Sequence, residues 1–204
     1  MRFLPFLVVS LLSVCLDGPT PVRAGTFGLG GPQAGQVEAT FMVKLFKYVE
    51  WPHAENSAKT PTICFLPYSV NGVKKPSAVQ RRLETALERG ESWTHLRDGR
   101  TVHVTVLSTP SELTDIEQGR ACQILYLDSP ATDQWWPFQV PPAVLTVSSK
   151  KDFAFKMGGM FQFIWNSDNY QIAMNPPPVL ASGVEVDGSI ESLCDRVDDA
   201  RFRR

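Results

Sequence analysis

Histidine is scarce in this chain: 204 residues contain three, His53, His95 and His103. Nucleophilic catalysis needs a base beside a Ser or Cys. His103 falls inside an alternating β-branched stretch and His95 in a polar loop, and there is no G-x-S-x-G elbow, so nothing local assembles such a pair. Cysteine is scarce too, with four, and neither C-x-x-C nor H-E-x-x-H occurs, which removes the usual signatures of a metal site. Charge of one sign is lacking: Lys and Arg number 20 against 21 Asp and Glu, so no nucleic-acid footprint is written in the composition. The clusters Arg81-Arg82, Lys150-Lys151 and Arg201 to Arg204 read as solvated faces and a frayed end, with contact between the terminal Arg-Phe-Arg-Arg and a membrane surface left open. Long apolar runs are also missing. The one from Phe3 to Leu16 falls short of the roughly 20 residues of a spanning helix and is interrupted by Pro5. Internal repeats and heptads are absent.

What is present begins with an export pattern. Arg2, the apolar run and the small-residue end Val22-Arg23-Ala24 predict a signal peptide over residues 1–24, cleaved after Ala24. Val14 before Cys15 argues against lipidation there. Cleavage leaves 180 residues carrying 18 cations and 20 anions, a length suited to one domain. Cys64, Cys122 and Cys194 remain in an oxidising compartment, which predicts one pair and one odd thiol.

Residues 25–36, with glycines that follow no strand, read as a flexible leader. From Val37 the pattern changes: Phe41, Met42, Leu45, Phe46 and Val49 recur at the spacing of one helical face, with Thr40, Lys44 and Lys47 opposite. Pro52 stops this helix at Trp51 and throws the indole outward. "TICFLPY" predicts a buried strand, and a polar excursion then leads into an amphipathic helix bearing Val79, Leu83, Ala86 and Leu87, stopped at Gly90. "TVHVTVL", "CQILYLD" and "AVLTVSS" predict further strands, with a short helix from Pro110 between the first two. "MFQFIW" and "YQIAMN" around a polar turn predict a hairpin. Pro176 to Pro178 then break regularity, and a last helix capped by Ser189 follows. The sum is an α/β fold: a single domain with a mixed, mostly parallel sheet flanked by helices and ending in an antiparallel hairpin.

Three features invite a binding role. "QWWPF" sets Trp135 and Trp136 in the connection between two strands, where they either roof the sheet or present a recognition surface. Trp51, at the exit of the first helix, fits either the core or the rim of a pocket. Gly158-Gly159 reads as a tight turn into the strand from Met160, or, with Ser148 and Asn175, as a ring of donors around a small pocket.

The segments "EATFMVKLFKYVEWP", "TICFLP", "GRTVHVTVL", "ACQILYLD", "VLTVSSKKDFAFKMGGMFQFIW" and "YQIAMN" occur in the order seen in the YfiR-like periplasmic family, which the chain resembles from about Val37 to Val197. The resemblance implies a domain over residues 37–197 followed by a charged tail over 198–204, no catalysis, no cofactor and regulation by binding. It implies repression of an inner-membrane diguanylate cyclase through that enzyme's periplasmic sensor domain, relieved by an outer-membrane-associated lipoprotein. A cysteine pair similarly placed in the family implies a Cys64–Cys122 disulfide. Trp51, Trp135 and Trp136 are the expected partner anchors, with Lys150 and Lys151 affecting association rate. The chain departs from the pattern at Val43, often aromatic in the family, in a longer segment between Cys64 and Cys122, and at Pro176 to Pro178. A small ligand, a homodimer, a solute-binding role and an unrecognised enzyme all stay open at this point.

Overall fold

The structure is a computed structural model describing residues 34–51, 60–113, 122–166 and 169–196. The expected signal peptide, most of the expected leader, Pro52, His53, most of the helix expected from Pro110, the polar turn at 167–168 and the expected charged tail lie outside the described residues.

Helix α1 (Ala34–Tyr48) starts three residues ahead of Val37, inside the expected leader. Its apolar stripe is wide, with Ala39, Met42, Leu45, Phe41 and Val43 all buried, because it packs on both a sheet and a second helix. That second helix, α2 (Ala78–Glu88), is capped by the Ser77 side chain, which accepts from the Gln80 backbone N–H at 2.9 Å. At Gly35 an added Cβ would lie 3.4 Å from the Ala78 backbone, so the small residue lets the two helices approach closely. Helix α1 ends earlier than expected from Pro52. The chain enters β1 (Val49–Glu50), which pairs antiparallel with β10 (Glu185–Val186).

The remaining strands are β2 (Thr62–Phe65), β3 (Tyr68–Val70), β4 (Val73–Lys75), β5 (His103–Val106), β6 (Ile124–Leu127), β7 (Leu145–Ser148), β8 (Phe161–Asn166), β9 (Asn169–Met174) and β11 (Asp195–Arg196). Seven of them form one sheet in the order β11-β9-β8-β7-β6-β2-β5. Strands β5, β2, β6, β7 and β8 run parallel, β9 returns antiparallel to β8, and β11 lies parallel to β9. The chain goes from β2 out to β5 and then back across to β6, so the direction of winding reverses beside β2. That order is common to doubly wound sheets.

Every residue of β2, β6 and β7 is buried, as strands covered on both faces require. The period of two then sorts side chains into two cores. Ile63, Phe65, Ile124, Tyr126, Leu145 and Val147 face α1 and α2. Cys64, Leu66, Leu125 and Leu127 face the other way, onto Ala131, Leu113 and Phe153. Each such apolar side chain contributes about 1.5–3 kcal/mol. The polar residues on this second face are satisfied: Thr146 Oγ1 accepts from the Met160 N–H at 3.2 Å, and Gln162 Oε1 accepts from the Ala154 N–H at 3.1 Å.

Several elements differ from expectation. Strands β3 and β4 form a hairpin within the presumed polar excursion, turning at Asn71-Gly72 with φ of 52° and 76°. Both positions demand positive φ, which is why Asn-Gly stands there. The connection between β6 and β7 that carries Trp135 is partly helical: Trp135 ends helix α3 (Ser129–Trp135), whose cap Asp128 accepts from the Ala131 N–H at 3.0 Å. Pro176 to Pro178 do not break regularity; they open helix α4 (Pro176–Ala181), since the first turn needs no intrahelical N–H donors. The last helix, α5 (Gly188–Glu191), is capped by Asp187 rather than Ser189, and the chain leaves it for β11.

Cys64 and Cys122 are joined with their Cα atoms 5.7 Å apart and a sequence separation of 58. Cys194 is buried and takes no part in that bridge. Chain entropy gives a tie closing a loop of this length about 4 kcal/mol of stability. Replacing both cysteines (Cys64→Ala with Cys122→Ala) is expected to lower the unfolding free energy by roughly that amount, read as a shift of the urea midpoint; an unchanged midpoint contradicts it.

Candidate functional site

In sheets wound like this one, ligands commonly sit outside the carboxyl ends of the strands where the winding reverses. Here that place, beyond β2 and β6, is roofed by the β3–β4 hairpin and α3. The Ser69 N–H donates to Gln134 Oε1 at 2.7 Å, and Trp135 Nε1 donates to the Pro67 carbonyl at 3.1 Å. Trp136 continues the roof. Its Nε1 donates to the Met157 carbonyl at 2.7 Å, and its ring meets Phe138 and Phe153 edge-on with centroids 5.3 and 4.9 Å apart. Both indoles are half-buried on the second core with their polar ends spent on backbone carbonyls, so each closes the core and offers only a rim to solvent. Lys150 ties the turn after β7 to α3 through Asp133 at 2.6 Å, while Lys151 is exposed.

Trp51 lies on the other side of the sheet. It stacks on Phe46, centroids 5.2 Å apart, against the core that α1 covers, and its buried Nε1 has no hydrogen-bond partner among the described residues. The three tryptophans therefore belong to two surfaces on opposite faces of the sheet.

Of the four residues expected around a small pocket, Ser148 and Gly159 are held in packed surroundings, Asn175 is half-buried and Gly158 is exposed. Ser148 is fully buried, its Oγ 2.9 Å from Thr132 Oγ1 and accepting from the Lys150 N–H at 3.0 Å. At Gly159 an added Cβ would fall 2.1 Å from the Phe153 ring, so the glycine is the seat of that ring. Gly158 has φ of 78° and provides the turn into β8. The Asn175 N–H donates to the Met160 carbonyl at 2.8 Å, fixing the exit of β9.

A buried carboxylate that sequence patterns did not single out joins three distant elements. Glu38, on the inner face of α1 and 7% exposed, accepts from the Tyr126 hydroxyl of β6 at 2.7 Å and from the Tyr170 hydroxyl of β9. Ser149 Oγ lies 3.4 Å from the Tyr126 oxygen. Its one sequence signal is an acid four residues before Met42, in register with the apolar stripe. Burial pushes the Glu38 carboxyl above its ordinary range, the two phenols pull it back, and Asp128 adds to the rise. Burial and the charge of Glu38 push both phenols up in turn. The cluster holds a carboxylate or a proton, and Ser149 meets it through the Tyr126 hydroxyl rather than at the carboxylate. Among the described residues no group of His, Cys, Asp and Glu is placed to hold a metal, and no helix is long and apolar enough to cross a membrane.

A family model described as YfiR/HmsC-like matches residues 35–193. No curated protein matches the chain.

The raised Glu38 carboxyl has a signed consequence for stability. An acid whose folded pKa lies above its unfolded value, about 4.3 for Glu, contributes most below that unfolded value and loses the contribution as pH rises through the folded one. Melting temperatures of the wild type and Glu38→Gln measured from pH 4 to pH 8 are expected to diverge, the wild type gaining on the variant as pH falls. A difference independent of pH contradicts this.

Proposed function

Because the chain belongs to the YfiR/HmsC-like family, we propose that it is exported to the periplasm and acts there as a non-catalytic regulator. It restrains a membrane-bound diguanylate cyclase by docking on that enzyme's periplasmic domain. The observation that carries this reading is the match over residues 35–193, which takes in every element from α1 to α5. The Cys64–Cys122 bridge suits an oxidising compartment.

Repression across a membrane requires no chemistry from the periplasmic partner, only tighter binding to the inactive than to the active receptor state. Moving a population from 1:99 to 99:1 takes a preference of about 5.5 kcal/mol. The solvent rims of Trp135 and Trp136, with Phe138 beside them and Lys151 on the adjoining turn, supply the apolar anchors and the charge of the docking surface. Lys150, already paired with Asp133, and Lys151 act on the association rate more than on affinity. Truncating the indoles would open the second core at about 3–5 kcal/mol each, so the informative substitution is Lys151→Glu, an exposed side chain.

Deleting the gene is expected to raise cellular cyclic-di-GMP. Complementation with wild type restores the low level, and complementation with Lys151→Glu restores it incompletely while the protein keeps its melting temperature. Unchanged cyclic-di-GMP in the deletion strain, under conditions where the protein is demonstrably expressed, refutes the role.

A further inference from the structure

Away from the Trp135–Trp136 surface, α1 and the segment 92–101 enclose a groove of about 560 Å³. Its floor is apolar, from Val43 and Phe46 on the helix and Trp93 and Leu96 on the opposite wall. Cations stand on both walls: Lys44 and Lys47 on α1, Arg97 and Arg100 on the segment facing it, against a single acid, Asp98. Asp98 is committed to Arg100 at 2.7 Å, and Lys47 leans over the Tyr48 ring with its Nζ 4.8 Å from the centroid. Lys44 and Arg97 carry no ion pair among the described residues.

The groove is already formed. Leu96 N–H donates to the Arg100 carbonyl at 2.7 Å, Gly99 N–H donates to the Leu96 carbonyl at 3.0 Å, and His95 bridges Thr101, so the wall bearing Arg97 is a hydrogen-bonded turn. Trp93 is fixed as well. Its Nε1 donates to Glu91 at 2.7 Å, Glu91 takes two bonds from Arg82 at 2.9 and 2.7 Å, and the Arg82 guanidinium lies 5.6 Å from the indole centroid. The Glu91 charge is thereby spent on Arg82 and Trp93, leaving the positive potential of the groove uncompensated from that side.

We propose that this groove is a binding site for a small organic anion with a flat apolar body, its acid group held between Lys44 and Arg97 and its body against Phe46 and Trp93. The volume falls in the range of about 300–1,000 Å³ that small-molecule sites occupy, and an apolar floor with a few converging polar groups is their usual lining. Cations on both walls select the sign of the occupant, and the fixed geometry lowers the entropy cost of binding. A flat body also matches the floor, since Phe46 is itself stacked on Trp51 and presents a ring rather than a flexible chain. The site lies across the sheet from the surface assigned to the cyclase, so it stands or falls independently of that role.

The probe is 8-anilinonaphthalene-1-sulfonate, followed by fluorescence on the exported protein and displaced by 2-naphthoate, by its neutral counterpart 2-naphthylmethanol, or by sulfate. Naphthoate is expected to displace the dye saturably and at about tenfold lower concentration than the alcohol, with sulfate ineffective because it lacks the body. Lys44→Glu with Arg97→Glu weakens naphthoate binding by about tenfold or more, whereas Lys150→Glu with Lys151→Glu leaves it unchanged. Melting curves verify that the variants fold; if charge reversal lowers the melting temperature, Lys44→Gln with Arg97→Gln is measured instead and the same loss is expected. Equal displacement by acid and alcohol, or undiminished binding by the Lys44 and Arg97 variants, overturns the proposal. So does the absence of saturable displacement, which leaves an acidic face of a partner protein as the occupant.

Discussion

Strands β2, β6 and β7 are buried on both faces, and most of the molecule follows from that. Parallel neighbours cannot be joined by tight turns, so each connection has to cross a face of the sheet and cover it. One face receives α1 and α2, long enough to cover it with Met42, Leu45, Val79 and Leu83. Among the described residues the other receives the seven residues of α3, the 3-10 turn Pro110–Leu113 and irregular segments, and large rings complete its cover. Phe153 seated on Gly159, with Trp136 edge-on to it, does there what a helix does on the opposite side. This is why the tryptophan pair, conspicuous in the sequence, is half spent on closing a core before any partner arrives.

The same asymmetry explains what could be read from the chain alone. The face of α1 was legible because its apolar residues recur locally, and the strands because double burial makes their sequences near-continuous apolar runs. The terminal hairpin of β8 and β9 followed from two apolar stretches around a polar turn. The β3–β4 hairpin carried its signal too, in Asn71-Gly72, but its flanks are exposed Ser, Val and Lys, so no buried alternation drew attention to it. The three prolines after Asn175 suggested a break where position in the first helical turn made them compatible with α4. Strand β11 has two residues, too few for any period to show.

Sites assembled from remote residues were the least legible. Glu38 meets Tyr126 and Tyr170 across 88 and 132 residues of sequence, and a lone acid on an apolar helical stripe does not name its partners. The basic groove likewise needs residues of α1 and of segment 92–101 brought together by packing; in sequence Lys44, Lys47, Arg97 and Arg100 were ordinary surface charges. Trp51 sits where local and tertiary information meet. Its place at the helix exit was apparent, but its stacking on Phe46 depends on how the chain turns into β1.

Helix α1 links these features. Its inner face carries Glu38 to the phenols of β6 and β9, and its outer face carries Lys44 and Lys47 into the groove. Under the proposed docking role, repression draws on binding energy, so affinity for the receptor bounds its extent. The most direct measurement titrates the purified protein against the purified periplasmic domain of the proposed cyclase partner by calorimetry. Regulation by docking predicts saturable one-to-one binding that weakens with added salt. Binding weaker than about 0.1 mM, leaving less than roughly 5.5 kcal/mol to distribute between receptor states, would contradict it.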